Sequence, residues 1–128
     1  MKKNELRIGN YVEVGLNRNF MPIISTVEQI AQTVIWIKEP KAPTLRLMPL
    51  DTIKPIPLTE DWLLKFGFVK SKENEWYHLL DFQIEIVVDE NNEFVFCVVE
   101  GIVLKHIKYV HQLQNLHYCL KQTELAVA

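Results

Sequence analysis

The stretch from Ile107 to Leu120, IKYVHQLQNLHYCL, constrains the fold of this chain more than any other segment. Its apolar residues recur at the i, i+4, i+7, i+11 spacing of a single helix face. These residues are Tyr109, Leu113, Leu116 and Leu120. The pattern predicts an amphipathic helix that packs this stripe against a sheet and closes a compact domain. The opposite face carries His111, Asn115 and Tyr118, which we interpret as a candidate contact surface for a protein partner.

Length and composition favour an ordinary globular protein. The 128 residues suit one domain or two small lobes, and 48% hydrophobic with 23% charged residues is typical of soluble domains. No apolar run approaches the roughly 20 residues of a membrane-spanning helix. The start, MKKNELRIGNYV, lacks the unbroken apolar core of a signal peptide. With Cys97 and Cys119 interpreted as reduced, buried thiols, these features predict a cytoplasmic protein.

Residues 1–57 are predicted to form a β-rich N-terminal lobe. Short apolar segments alternate here with turn residues, and they run over Leu6–Val14, Ile23–Ile30, Thr33–Lys38 and Leu45–Ile53. Four or five short strands joined by tight loops are typical of a small SH3-like barrel. Pro55 and Pro57 lack N–H donors, so regular pairing is expected to stop at Lys54–Leu58.

Residues 58–128 are predicted to form a second lobe of helix, antiparallel sheet and closing helix. Thr59 is a good N-cap and Gly67 a good C-terminal residue for a helix over Glu60–Phe66. The strands expected after it are Glu75–Leu80, Phe82–Val88, Phe94–Val99 and Ile102–Lys105. Because Phe94–Val99 is apolar on both faces, it is expected to be a central strand covered on both sides. The fold class predicted for the chain is α+β, and the two lobes could form one compact unit.

The sequence offers little for catalysis or metal binding. The four histidines are His78, His106, His111 and His117. His111 and His117 lie about 120° apart on a helix, and His106 stands about three turns from His117, so no pair could share a zinc ion. P-loop, G-x-G-x-x-G and H-E-x-x-H motifs are absent from the sequence. We therefore expect no enzymatic activity, no cofactor and no metal.

Charge is unevenly distributed and leaves a nucleic-acid alternative open. Residues 1–57 hold eight Lys and Arg against five Asp and Glu, while residues 58–128 hold six against eleven. Lys38, Lys41 and Arg46, with Trp36 for stacking, are the candidate nucleic-acid contacts. The interleaved acidic residues and a pI near 6.1 weaken this alternative.

A non-catalytic interaction protein is the leading interpretation. Tryptophan and tyrosine are enriched at interface anchors, and one of the segments VIWI and FVFCVV must be covered to avoid edge pairing. The expected partner is a host or phage protein or a second copy of the chain, which makes a dimer one of the expected states.

Three segments resemble a family of small uncharacterised proteins from Bacteroides-type gut bacteria and their phages and mobile elements. They are ELRIGNYV at residues 5–12, PIPLTEDWLLKFGF at residues 55–68 and YVHQLQNL at residues 109–116. The resemblance implies a cytoplasmic accessory protein encoded by a phage or mobile element, and it brings no assigned activity. His117 and Cys119 differ from the residues that relatives tend to have, so neither is a family signature.

Overall fold

The computed structural model of the chain describes residues 5–16, 19, 21–31, 34–41, 44–73, 76–79, 83–91 and 93–127. The chain forms two compact units. The first comprises Met1–Ile56 with Tyr109–Glu124, and the second comprises Pro57–Lys108 with Leu125–Ala128. Two antiparallel sheets and a C-terminal helix confirm the predicted α+β class.

A four-stranded antiparallel sheet forms the framework of the first unit. Its strands, in the order β1-β2-β3-β4, are β1 (Tyr11–Leu16), β2 (Pro22–Ile30), β3 (Val34–Lys38) and β4 (Arg46–Pro49). Alternation of side chains along each strand places one apolar set on the inner face. The buried core comprises Leu6, Val12, Val14, Val27, Ile35, Ile37, Met48 and Ile53. Thr33, which begins the predicted third strand, lies outside the described residues.

The first sheet is open, which differs from the predicted barrel. β1 and β4 lie at opposite edges and do not pair with each other. A 3-10 turn at Leu50–Thr52 follows β4, and Lys54 then forms a single antiparallel bridge with Glu13 on β1. The backbone N–H groups of Glu13 and Lys54 each donate to the other residue's carbonyl, at 3.0 and 2.9 Å. Pro55 and Pro57 have no N–H to donate, and among the described residues this segment adds one bridge to β1 and no closing strand.

The second unit begins with the short helix α1 (Glu60–Lys65). As predicted, the Thr59 hydroxyl caps it by accepting from the Trp62 N–H at 3.4 Å. Gly67 follows with a φ of +91°, a conformation that glycine adopts without the Cβ penalty. The Phe68 N–H then donates back to the Leu63 carbonyl at 3.0 Å, which ends the helix.

A five-stranded antiparallel meander completes the second unit. Its strands, in the order β5-β6-β7-β8-β9, are β5 (Val69–Lys70), β6 (Tyr77–Leu79), β7 (Ile84–Val88), β8 (Phe94–Val99) and β9 (Ile102–Leu104). Buried residues of this unit include Leu63, Phe66, Phe68, Tyr77, Ile84, Ile86 and Cys97. β8 is an interior strand that pairs with β7 on one side and β9 on the other, but Val95 on this strand is 47% exposed. The prediction of a strand covered on both sides is therefore wrong for β8, and residues 80–82 of the predicted strands lie outside the described residues.

The C-terminal helix α2 (Val110–Lys121) belongs to the first unit, whereas the sequence pattern places it with the second sheet. Its N-terminus is held by the Gln112 side chain, which accepts from the Tyr109 N–H at 3.1 Å. The buried residues of α2 are Val110, His111, Leu113, Gln114 and His117. Of the four residues in the predicted apolar stripe, Leu113 is fully buried, whereas Tyr109, Leu116 and Leu120 are half-buried. The polar side chains of Gln114 and Asn115 contact the N-terminal segment instead. The prediction that Cys119 is buried is wrong, since its side chain is exposed.

Candidate functional site

The face of α2 that was predicted to meet a partner instead binds the chain's own N-terminal segment, residues 5–11. Gln114 provides the clearest contact, since its side chain is 1% exposed. Its Oε1 accepts from the Tyr11 N–H at 2.8 Å, and its Nε2 donates to the Gly9 carbonyl at 3.2 Å. One side-chain amide thus satisfies a backbone donor and a backbone acceptor at the start of β1, as a neighbouring strand would.

Asn115 binds the same segment through three further hydrogen bonds. Its Oδ1 accepts from Nη1 of Arg7 at 2.7 Å and from Nδ2 of Asn10 at 2.9 Å. Its Nδ2 donates to the Glu5 carbonyl at 2.9 Å. Asn10 is fully buried, and its own Oδ1 accepts from the Arg7 N–H at 2.6 Å, which stabilises the turn before β1.

Arg7 joins this network to the end of α2. Its guanidinium forms an ion pair with Glu124 and lies 4.1 Å from the centre of the Tyr118 ring. A cation over an aromatic face at this distance is attractive. Tyr118 therefore presents a half-buried ring whose one face is already occupied by Arg7.

His111 lies inside the first unit and is 1% exposed. Neither of its ring nitrogens has a hydrogen-bond partner among the described residues, and the nearest carboxylate oxygen, Oε2 of Glu5, lies 3.9 Å from Nε2. Burial lowers the pKa of His111, and the nearby Glu5 charge opposes this only in part. The imidazole is therefore neutral near pH 7.

These positions change the predicted contact surface of His111, Asn115 and Tyr118. His111 is not available to a partner, and the Asn115 amide is committed to residues 5–10. An external contact through Tyr118 stays a prediction. Sequence reasoning missed the internal role of these residues because amide and imidazole groups on a helix face look the same whether water or backbone will bind them.

The predicted nucleic-acid residues are only partly brought together. Lys38 lines a shallow groove of about 200 Å³ on the first sheet, together with Tyr11 and Thr26. Tyr11 pairs with Thr26 across β1 and β2, and Thr26 pairs with Lys38 across β2 and β3, so the three form one cross-strand row. Trp36 is half-buried two residues from Lys38 and shares its face of β3.

The other two predicted nucleic-acid residues lie apart from this row. Arg46 is ion-paired with Glu39 at 2.8 Å, and Lys41 is exposed in the loop after β3. The Arg46 charge is thus partly neutralised by a neighbour within the same lobe, which reduces its value as a phosphate contact.

The strand β9 is a feature that the sequence analysis did not single out. Sheet edges are normally protected by charge, proline, shortness or cover. Among the described residues, three of the four sheet edges have such protection. β1 is bridged by Lys54, and β4 contains Arg46 and Pro49. β5 has only two residues, one of which is Lys70. β9 is also short, with the three residues Ile102, Val103 and Leu104, but none of them is a charged residue or a proline.

Two of the three side chains of β9 are exposed. Ile102 is 65% exposed and Val103 is 46% exposed. The only signal in the sequence is indirect: the last strand of a meander lies at an edge, and IVL carries no residue that would discourage pairing.

Two buried side chains of the second unit, Cys97 and Tyr77, have shifted pKa values. Burial raises the pKa of the Cys97 thiol to about 12, so this cysteine is not a nucleophile near neutral pH. Burial and a hydrogen bond with Glu60 raise the pKa of Tyr77 to about 12. Within the part of the chain that the structure describes, no group of three or more His, Cys, Asp and Glu residues is placed to hold a metal ion.

No known protein-family model, curated protein or solved structure matches this chain. The resemblance carried by ELRIGNYV, PIPLTEDWLLKFGF and YVHQLQNL therefore stays a prediction. No helix within the described ranges is long and apolar enough to cross a membrane.

Proposed function

We propose that this chain is a non-catalytic interaction protein that binds a protein partner by strand addition at β9. The observation that carries the proposal is the composition of that edge, which is apolar at all three positions and largely exposed. An accessory role in a phage or mobile element is the setting that we propose for it, and it rests on the sequence resemblance alone.

The backbone of β9 supports strand addition as the binding mode. Val99 pairs with Ile102 across the two-residue turn Glu100–Gly101, in which both residues have positive φ. In hairpins of this kind the closing pair exchanges both backbone hydrogen bonds, so Ile102 faces β8 and Val103 faces outward. The N–H and C=O of Val103 are therefore directed toward an incoming strand, as in β-augmentation.

Comparative capture from lysate of a Bacteroides-type host tests the proposal. Three baits are compared: the wild type, an Ile102→Lys variant and a Val95→Lys variant. Val95 is an exposed valine of the same sheet that does not lie on the edge strand, so it controls for the added charge. We expect at least one protein, or the chain itself, to be retained by the wild type and by Val95→Lys and lost with Ile102→Lys.

Hydrogen exchange on the captured complex locates the contact. We expect slower amide exchange at Val103 in the complex than in the free chain, because its N–H acquires an acceptor. Retention that is equal for all three baits, or unchanged exchange at Val103, would contradict binding through β9.

Nucleic-acid binding is a second candidate, favoured by the row of Tyr11, Thr26 and Lys38. The groove holds one tyrosine ring and one lysine, which suit a base stacked beside its phosphate, and it is also lined by Glu39, whose carboxylate pairs with Arg46. The test is fluorescence polarisation of labelled single-stranded DNA and RNA at low salt, comparing Lys38→Glu with Lys121→Glu, an exposed lysine at the end of α2. Loss of binding with Lys38→Glu alone supports this candidate, whereas polarisation that never rises refutes it.

We also propose an SH3-like arrangement of the first unit and a cytoplasmic location for the protein. An SH3-like arrangement of the first unit is supported by the path from β4 through the 3-10 turn to the Lys54 bridge on β1. A cytoplasmic location is supported by the free thiols of Cys97 and Cys119.

A further inference from the structure

We infer that the strand that occupies β9 is the β9 of a second copy of this chain, paired antiparallel about a two-fold axis at Val103. The inference rests on the proposed function, since it names the partner of the same edge. Its basis is that the sequence around β9 is complementary to itself in the antiparallel direction, in both side-chain shape and charge.

The register follows from the outward direction of the Val103 backbone groups. When Val103 of each copy faces the other, the two residues exchange two N–H···O=C hydrogen bonds, as an antiparallel hydrogen-bonded pair does. Ile102 of one copy then lies opposite Leu104 of the other, on the same face of the joined sheet. Ile102, which is 65% exposed in the single chain, would be covered by this neighbour.

Charge selects the antiparallel direction. The segment runs Glu100-Gly101-Ile102-Val103-Leu104-Lys105-His106, with its acid at the start and its base at the end. Antiparallel pairing places Glu100 of one copy at the end that carries Lys105 and His106 of the other, once on each side of the axis. Parallel pairing would place the two Glu100 carboxylates together and the two Lys105 ammonium groups together, which is repulsive.

The same arrangement limits the assembly to two chains. Pairing of β9 with β9 consumes the open edge of each copy, and the far edge of the sheet is the two-residue β5 with Lys70. A two-fold contact of this kind is closed and gives a dimer with a continuous ten-stranded sheet instead of a fibre. The contact is shorter than a standard interface, so we expect dimerisation to depend on protein concentration.

Sedimentation velocity of the full chain over a wide concentration range tests the inference. We expect a monomer–dimer equilibrium for the wild type and a monomer at all concentrations for Val103→Pro. Proline removes the outward N–H, and an outward-facing edge position is where a sheet tolerates proline. Val103→Thr keeps the N–H and the β-branched shape, so it is the matched control and should dimerise as the wild type does.

Charge reversal gives a second test that does not depend on how proline is accommodated. Glu100→Lys and Lys105→Glu are each expected to weaken dimerisation at least severalfold, because like charges then meet at both ends. Mixing the two variants is expected to restore association. In the mixed pair the two substituted side chains meet at one end with opposite charges, and the unchanged Glu100 and Lys105 meet at the other end. Association that is unchanged in the separate variants, or not restored in the mixture, would overturn the pairing.

The outcomes separate this inference from the proposed function. A wild type that stays monomeric at every concentration overturns the dimer. If such a monomer still retains a lysate protein that Ile102→Lys loses, strand addition at β9 stands and only its occupant is wrong. A monomer with no edge-dependent retention refutes both.

Discussion

Replacement of Gln114 by alanine tests the contact that joins α2 to the N-terminal segment. The substitution removes the acceptor of the Tyr11 N–H and the donor to the Gly9 carbonyl, at a side chain that is 1% exposed. A typical hydrogen bond contributes about 0.5–1.5 kcal/mol, and each buried polar group left without its partner costs about 1–3 kcal/mol. We therefore expect the free energy of unfolding of the first unit to fall by about 3 kcal/mol.

Urea unfolding followed by far-UV circular dichroism measures this change, supported by thermal melts. For a domain of this size about 3 kcal/mol corresponds to a fall in Tm on the order of 10 °C. Gln29→Ala is the matched control, since Gln29 is an exposed residue of β2 and surface changes usually alter stability by about 0.5 kcal/mol or less.

Gln114→Glu separates the two hydrogen bonds. The glutamate can still accept from the Tyr11 N–H but places a carboxylate against the Gly9 carbonyl. Its destabilisation should therefore be larger at pH 7 than at pH 4, where protonation restores a donor. A Gln114→Ala variant that unfolds within about 0.5 kcal/mol of the wild type would refute the contact.

Three further predictions concern buried groups. Leu113→Asp should unfold the first unit, because an aspartate at this fully buried helix position has no compensating partner. Native-like amide exchange in β1–β4 of that variant would contradict the placement of α2. Lowering the pH below 6.5 should destabilise the folded chain through His111. The pKa of His111 in the folded state lies below its ordinary value, so the unfolded state takes up the proton first as the pH falls. The free energy of unfolding therefore decreases as the pH drops. A His111→Gln variant should show a shallower acid-side slope in its urea midpoint than the wild type, and an unchanged slope would exclude His111 as its source. A thiol-reactive dye should label Cys119 in the native chain and Cys97 only after unfolding. The reason is that Cys119 is exposed, whereas Cys97 is buried and its pKa is raised to about 12. Rapid labelling of both cysteines would be inconsistent with the burial of Cys97.

Local chemistry made part of the fold predictable from the sequence. The helix α1 follows from Thr59, Gly67 and the apolar residues between them, and each of these acts within one turn of its own position. The hairpin of β2 and β3 and the strands β7 and β8 follow in the same way from alternation and turn residues. These elements form where expected because their stabilising contacts lie close in sequence.

The packing of α2 could not be predicted in this way. The leucine stripe correctly indicates a helix, but the residue that the helix buries beside Leu113 is Gln114, whose partners are more than 100 residues away in the chain. Hydrophobic periodicity ranks a glutamine as a surface residue, although a buried amide that satisfies two backbone groups is compatible with a core. The assignment of α2 to the second lobe failed because the pattern contains no information about which sheet supplies the partner.

The contact between α2 and residues 5–11 bears on the sequence resemblance to the Bacteroides-type family. Two of its segments, ELRIGNYV and YVHQLQNL, contact each other through the side chains of Gln114 and Asn115. Their residues have a sufficient structural role in holding α2 against the start of β1, so neither segment needs a ligand to explain its residues. The edge β9 lies outside both of these segments and outside PIPLTEDWLLKFGF. Substitutions at residues 100–106 are therefore expected to alter binding at β9, while the contact between α2 and residues 5–11 is retained.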